Sequence, residues 1–262
     1  MNDNGSVWSP GERQLFEELI IPSPHSVELE RTTMSDFLRR ICATSHVAEL
    51  YHENSKLVPS STLTVPEDDR KLHEAREWFF TTAYALEEDV VEPGEAHHIR
   101  IGLADLPEGL RSLLRPFTEP GTASDLLYSV DLLVLHGGRL YRLVVRTEHL
   151  WVERSISAPE MEALREAVLD LSDLTLARAE ALLFLVACPW RYMLLYGPRG
   201  YRHTLLDAGR LLGHLETAAR RSHLPLAVAQ NFYDARIDRL LLADGVERST
   251  LAILALSGGG PS

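Results

Sequence analysis

The sequence of 262 residues is poor in cysteine and lysine. Its two cysteines, Cys42 and Cys188, lie far apart, which argues against a disulfide framework and against a CxxC metal pair. We expect both to be buried thiols. Lysine occurs only at Lys56 and Lys71, so nearly every positive charge is an arginine guanidinium. A mechanism that needs a catalytic lysine therefore has very few positions for one.

Long apolar runs and targeting segments are also missing. The apolar run at 181–188 is far shorter than the roughly 20 residues that a transmembrane helix needs, so we expect no membrane span. Residues 1–13 contain no apolar segment typical of a signal or transit peptide, which favours a cytoplasmic protein. The net charge of −12 repels phosphate backbones and argues against nucleic-acid binding.

Generic cofactor and hydrolase motifs are absent. The sequence has no GxGxxG after a strand, no GxxxxGK[ST], no HExxH and no GxSxG. The backbone and side-chain groups of dinucleotide, P-loop, zinc-protease and serine-hydrolase sites are therefore missing. His97 and His98 are adjacent, and neighbouring residues of a strand point to opposite faces, so we expect no metal site there.

The hydrophobic pattern predicts an α+β domain. The composition, with 45% hydrophobic and 24% charged residues, is that of a globular protein. Two β-rich runs flank a Gly-Gly turn at 137–138 and predict a hairpin, and the run at 181–188 predicts a buried strand. A long helix is expected from about 199 to 221 and a closing strand at 251–256. Further helices are expected at 12–20, 35–50, 66–84, 159–171 and 234–242. This order of helices and strands is typical of an α+β domain in which helices flank a mixed, mainly antiparallel sheet.

Positive charge is concentrated in one segment. Residues 191–240 carry eight arginines and four acidic residues, although the whole chain is acidic. Either this segment faces an anion, such as a phosphorylated cofactor or an acidic peptide, or its helices simply carry solvated arginines.

The C-terminal third has the most specific pattern. It contains, in order, YGPRGYRH at 196–203, LLDAG at 205–209, FYD at 232–234, LLLADG at 240–245 and LAILALSG at 251–258. This order resembles the C-terminal half of the SagB-type dehydrogenases, a branch of the nitroreductase-like flavin fold that includes azoline oxidases. The RGYR segment followed by LLDAG is the specific part, and the resemblance covers about residues 126 to 258.

The resemblance implies an FMN-dependent oxidation that converts a thiazoline or oxazoline ring of a peptide natural product to the aromatic azole, or oxidises a related bond. Family members act on a leader-bearing precursor peptide beside a cyclodehydratase or a second dehydrogenase subunit. The family is usually a homodimer with flavin at the subunit interface, and a homodimer or heteromer is expected for this chain. The implied organisation is a nitroreductase-like domain at 91–258, a helical N-terminal region at 1–90 that docks a partner or leader, and a tail at 259–262.

The resemblance also implies roles for particular residues. Tyr196 occupies the tyrosine position of a catalytic lysine-tyrosine pair and is expected to transfer a proton or orient the substrate. His214 is the alternative proton carrier, because its pKa suits that role, or it is structural. Arg199 and Arg202 are expected near the flavin or its phosphate, or in ion pairs within the fold.

Two polar residues before the FYD segment complete the candidate site. Gln230 and Asn231 occupy the place of a glycine pair and either contact the edge of the flavin ring or cap the following helix.

The sequence also departs from the family pattern. The lysine position carries Leu195, a Gln-Asn pair is replaced by Gly213 and His214, and no arginine-rich RRSxR segment precedes the domain. These departures leave two alternatives to the enzyme. One is a subunit that keeps the fold without flavin and supports an active dehydrogenase, and the other is an unrelated small-molecule reductase on the same fold.

Overall fold

The computed structural model describes residues 69–83 and 100–258. The helices expected at 12–20 and 35–50 lie outside the described residues, as do Cys42, the pair at 97–98 and the tail at 259–262. Within the described ranges no helix is both long enough and apolar enough to cross a membrane. The same ranges contain no group of three or more histidine, cysteine or acidic residues close enough together to hold a metal ion.

The domain is built on a seven-stranded sheet. The strands are β1 Arg100–Gly102, β2 Val130–His136, β3 Arg139–Leu143, β4 His149–Ser155, β5 Ala179–Ala187, β6 Leu226–Ala229 and β7 Ser249–Ser257. Their order across the sheet is β1-β4-β3-β2-β5-β7-β6. Every pairing among these strands is antiparallel. The expected β2–β3 hairpin is confirmed, and its turn needs Gly137 and Gly138 because their φ angles are 57° and 73°.

Eight helices accompany the strands in the described ranges. They are α1 Asp69–Trp78, α2 Glu108–Leu114, α3 Thr122–Asp125, α4 Ala158–Ala167, α5 Asp173–Arg178, α6 Trp190–Tyr196, α7 Gly200–Arg221 and α8 Asp234–Leu240. A π-helical turn, Phe79–Ala83, continues α1. The pattern predicted α1, α4, α7 and α8. It placed the end of α4 four residues too late, because Val168 is extended and bridges to Phe232 instead of continuing the helix.

Alternate side chains of the sheet enter two separate cores. On β5, Leu183 packs into one core and Phe184 into the other, as the two-residue period of a strand requires. Helix α7 covers the first face with Leu211 and Leu215. Helices α4, α5 and α8 cover the second face. β5 therefore has the continuous apolar sequence of a strand buried on both faces.

Helix α1 is part of the first core. Phe79 and Phe80 follow it directly and are both buried. Arg146 lies with its guanidinium carbon 4.4 Å from the centre of the Phe80 ring and donates to Asp125 at 2.9 Å. Residues 69–83 of the expected N-terminal region are thus held by the domain that follows. A docking role for residues 1–90 stays a prediction.

Candidate functional site

A tight helix crossing carries the RGYR segment. Helix α6 ends at Tyr196, and Gly197, with φ of 56°, lets the chain turn into α7. A Cβ atom on Gly200 would lie 2.4 Å from the carbonyl carbon of Tyr192 and 2.4 Å from the nitrogen of Met193. Only glycine therefore permits this approach of the two helices.

A buried hydrogen-bond network joins three helices beside the crossing. The hydroxyl of Tyr192 on α6 donates to Oδ2 of Asp207 on α7 at 2.6 Å. Arg76 on α1 donates to the same hydroxyl at 2.7 Å and lies 3.9 Å from Asp207. Arg210 also donates to Asp207, at 3.2 Å. Burial, together with the carboxylate of Asp207, raises the pKa of Tyr192, so its phenol stays protonated at neutral pH.

An imidazole completes this aromatic cluster. The ring of His203 lies 4.5 Å from that of Tyr196 and 5.4 Å from that of Tyr192, centroid to centroid. Burial lowers the pKa of His203, and the guanidinium of Arg199 lowers it further, against the opposing effect of Asp207. The imidazole is therefore neutral at pH 7 and able to accept a proton.

Three of the expected site residues lie together. Tyr196 contacts His203 through its ring, and Arg199 is close enough to His203 to affect its pKa. Arg202 lies in the first turn of α7, and all three expected residues are half-buried. The structure therefore brings a phenol, an imidazole and two guanidinium groups to the start of one long helix.

His214 lies elsewhere on the same helix. It follows His203 by eleven residues, which corresponds to about 16 Å along a helix axis. Its ring is 5.6 Å from that of Phe117. The structure does not bring His214 to Tyr196, and a proton-carrying role for it stays a prediction without support from this geometry.

Gln230 and Asn231 are held by an acidic side chain on another loop. Both backbone N–H groups donate to Oδ2 of Asp170, at 2.9 and 3.0 Å, and the side-chain amide of Asn231 donates to the same atom at 3.1 Å. The N-cap of α8 is Tyr233, so neither residue caps that helix. Flavin binding by this pair stays a prediction.

Four residues of the cluster were not predicted from the sequence: Arg76, Tyr192, His203 and Asp207. For three of them the spacing along the sequence indicates a shared helix face. Tyr192 and Tyr196 are four residues apart, as are His203 and Asp207, so each pair lies on one helix face. Arg76 is 116 residues from Tyr192 along the chain, and no local pattern indicates that contact.

A second buried charge cluster lies next to α6. Asp131 on β2 accepts a hydrogen bond from Arg191 at 2.8 Å, and Arg248 lies 3.5 Å away. Burial would raise the pKa of Asp131, but the guanidinium groups of Arg191, Arg142 and Arg248 lower it to about 2. Burial raises the pKa of Cys188 to about 12, which confirms a buried, unreactive thiol.

Comparison with known proteins gives a match through structure alone. No family model and no curated protein match the sequence. A solved protein of Anabaena variabilis assigned as a nitroreductase matches 80% of this chain and 45% of its own, with a TM-score of 0.56 and 21% identity. The chain thus spans less than half of that protein. A chain of the E. coli microcin synthetase McbBCD complex, solved with truncated pro-MccB17 bound, matches over 88% of this chain and 93% of its own, with a TM-score of 0.50 and 13% identity.

This chain has a nitroreductase-like fold. The expected fold class, α+β with helices flanking a mainly antiparallel sheet, is confirmed. The sheet was expected to be mixed, but every pairing among the described strands is antiparallel. In this nitroreductase-like domain, the Tyr196–His203 cluster lies where α6 and α7 cross, over the first core. At these identities the likeness is one of fold, and the chemistry has to be argued from the cluster itself.

Proposed function

We propose that this protein is an FMN-dependent oxidoreductase of the SagB type, which oxidises a thiazoline or oxazoline ring, or a related bond, of a peptide natural-product precursor. The observation that carries the proposal is the start of α7, where Tyr196, His203, Arg199 and Arg202 lie together on a nitroreductase-like fold. The fold similarity to a chain of a microcin synthetase complex, solved with truncated pro-MccB17 bound, supports a peptide substrate.

The start of α7 fits the two chemical halves of FMN. Its first turn has no acidic residue, and the positive end of the dipole of a helix of 22 residues favours an anion. Arg199 and Arg202 add positive charge suited to a phosphate. The half-buried rings of Tyr196 and His203 offer aromatic surface to a flat ring system. A bound flavin would supply the acceptor for a hydride, which no side chain provides.

The protein's own residues would position the substrate and move a proton. Tyr196 presents a phenol at the end of α6, and the Tyr192–Asp207–Arg76 network holds that helix against α7. Because this network is buried and hydrogen-bonded, the end of α6 keeps one geometry. We assign Tyr196 to proton transfer or to orientation of the ring to be oxidised.

The proposal includes assembly with other chains in the cytoplasm. Helix α6 exposes Trp190, Met193 and Leu194, and the exposed fraction of Leu194 is 77%. These residues are three and four positions apart and share one helix face. An exposed apolar surface of this kind favours a homodimer or a heteromer with a second dehydrogenase subunit or a cyclodehydratase, acting on a leader-bearing peptide.

A subunit without flavin is the second candidate function. Leu195 lies where the related oxidases have lysine, and a leucine side chain cannot carry a proton. Combined with the apolar face of α6, this favours a chain that supports a competent dehydrogenase through contact alone. A general small-molecule reductase is the remaining alternative.

The first experiment is the visible absorbance spectrum of freshly purified protein, followed by identification of the flavin released on denaturation. The enzyme is expected to release about one FMN per chain and to remove two hydrogen atoms from a synthetic peptide that contains a single thiazoline, as measured by mass spectrometry. A colourless protein that takes up no added FMN and co-purifies with a second dehydrogenase-like chain would establish the supporting subunit instead.

A matched pair of variants tests the arginines. Arg202→Ala, in the first turn of α7, is expected to weaken FMN binding at least about tenfold, which corresponds to about 1.4 kcal/mol. Arg220→Ala removes an exposed guanidinium in the last turn of the same helix and is expected to bind FMN as the wild type does. Equal FMN affinities for the two variants would exclude Arg202 from the flavin site.

A further inference from the structure

The imidazole of His203 lies at the centre of the candidate site. Its ring is tilted by 33° to that of Tyr196 and by 36° to that of Tyr192. At these small interplanar angles the imidazole contacts both tyrosine rings mainly through its faces. The two ring nitrogens lie in the ring plane, so these aromatic contacts do not use the atoms that exchange protons.

Charged groups around His203 keep its imidazole neutral. Arg199 faces it from the turn before α7 and Arg76 from α1, and both disfavour a second positive charge. Asp207, one helical turn away, favours protonation, but it is already bound by Tyr192. Burial and the two guanidinium groups together outweigh Asp207, and the pKa of His203 is lowered. A neutral imidazole is the form that a general base requires.

The other titratable groups of the cluster are less suited to accept a proton. The hydroxyl of Tyr192 is held between Asp207 and Arg76. The carboxylate of Asp207 already accepts hydrogen bonds from Tyr192 and Arg210. His214 lies about 16 Å away along α7. Among the described groups of this cluster, His203 combines neutrality with a position against Tyr196.

We propose that His203 is the catalytic base of this protein, and that one of its ring nitrogens takes the proton from the substrate carbon placed against Tyr196. The inference rests on the proposed function. The five-membered ring would lose one hydrogen as a proton, which His203 would take, and the other as a hydride, which a bound flavin would accept. A carbon–carbon double bond would form in the ring, and molecular oxygen would take the two electrons and two protons to give hydrogen peroxide.

The positive groups around His203 also predict the pH dependence of the reaction. Protonation of the imidazole removes the base, so the rate is expected to fall as the pH drops through the lowered pKa of His203. Above that pKa the rate is expected to be independent of this group. If His203 only packs against Tyr196, its protonation gives no reason for the rate to fall at low pH.

Proton exchange tests the base separately from oxidation. The probe is a synthetic peptide with a single thiazoline, incubated with the protein in D₂O under anaerobic conditions after the flavin has been reduced, so that no net oxidation occurs. Deuterium incorporation at the ring carbon next to the peptide carbonyl is measured by mass spectrometry. Wild-type protein is expected to catalyse this exchange, and His203→Gln is expected to do so at least about 100-fold more slowly.

A control variant and a rescue variant complete the experiment. His149→Gln removes an exposed imidazole at the start of β4 and is expected to exchange and oxidise the probe as the wild type does. His203→Ala is expected to recover part of the exchange rate when free imidazole is added, because a soluble base then replaces the missing side chain. If neither His203 variant folds, the wild-type pH profile of the rate decides.

The outcomes separate this inference from the proposed function. Loss of exchange and of oxidation in His203→Gln, with FMN content unchanged, supports the assignment. Exchange within about threefold of the wild type in His203→Gln overturns the assignment and leaves the proposed function standing. A wild-type rate that does not fall at any acidic pH at which the protein stays folded does the same. A wild-type protein that binds no FMN and oxidises no probe overturns both.

Discussion

At the scale of single residues, buried charge is concentrated in two clusters with different tasks. In the first cluster, Asp131 at the start of β2 and Arg191 on α6 are both buried and neutralise each other. Around Tyr192, a phenol and a carboxylate are buried beside a neutral imidazole. In the first cluster the structure shows ion pairs and hydrogen bonds within the fold. The second contains groups that are able to exchange protons.

The Asp131 cluster predicts a large loss of stability on removal of one charge. Asp131→Asn removes the negative charge that neutralises the buried guanidinium of Arg191, so the free energy of unfolding is expected to fall by about 3–5 kcal/mol. Urea denaturation of the purified protein measures this value. Glu166→Gln removes one partner of an exposed ion pair with Arg236 and is the control, with an expected change below about 1 kcal/mol. Equal midpoints for the two variants would contradict the prediction.

The lowered pKa of His203 predicts how stability depends on pH. The unfolded chain binds the proton more tightly than the folded protein, so folding is weakened as the pH falls below the ordinary value of 6.5 toward the lowered pKa. His203→Gln lacks this contribution, and its free energy of unfolding is expected to fall less between about pH 7.5 and pH 5.5. Thermal unfolding at both pH values, with His149→Gln as the control, measures the difference. If the stabilities of the wild type and His203→Gln fall equally over this pH range, the predicted contribution of His203 is excluded.

At the scale of elements, the candidate site depends on how closely α6 and α7 approach. The turn between them has three residues, Gly197–Arg199, and Gly200 then lies directly against the backbone of α6. Helix α1 is fastened to this pair by Arg76, which contacts Tyr192 and Asp207. The geometry of Tyr196 and His203 therefore follows from backbone contacts and one network rather than from the local turn alone.

Two glycines of α7 predict opposite effects of the same substitution. Gly200→Ala places a Cβ atom 2.4 Å from backbone atoms of α6, which forces the helices apart, and a loss of about 1–3 kcal/mol is expected. Gly209→Ala meets no atom within 4 Å and is expected to stabilise the protein by about 0.5–1 kcal/mol, because alanine loses less conformational freedom in a helix. Chemical denaturation of both variants provides the comparison. A stabilised Gly200→Ala protein would mean that the crossing is looser than the structure shows.

At the scale of the whole molecule, the sheet divides the domain into two cores and joins all of its layers. β5 is an interior strand of the sheet, pairs with β2 and β7 and is buried on both faces. β1 is a three-residue strand at one edge. The candidate site lies over the face covered by α7, so its rigidity depends on the central strands beneath that helix.

This arrangement predicts the order of backbone hydrogen exchange. The amides of β5 are expected to exchange only through global unfolding, because this buried strand is hydrogen-bonded to a neighbouring strand on each side. The amides of β1 are expected to exchange orders of magnitude faster through local opening at the sheet edge. Hydrogen–deuterium exchange followed by mass spectrometry measures both segments in one experiment. Similar rates for the two strands would contradict the assignment of β5 as the centre of the stable core.

The sequence by itself determined the elements whose signal is local. Three elements were predictable because their patterns involve only neighbouring residues. The glycine pair predicted the β2–β3 hairpin, the continuous apolar run predicted the buried strand β5, and the helical spacing of apolar residues predicted α7. The fold class followed from their order. β4 and α6 were not predicted, since the mixed polar and apolar residues of 149–155 and the short length of 190–196 give weak periodicity.

The site was only partly determined by the sequence. Tyr196, Arg199 and Arg202 were predicted because they lie within one short motif. His203 lies against two tyrosine rings only because α6 folds back over α7. Arg76 joined the cluster from 116 residues away. Local spacing fixes which residues share a helix face. The burial of a side chain, the shift of its pKa and the pairing of distant charges arise only when separate elements pack together. That packing decided which histidine lies against Tyr196.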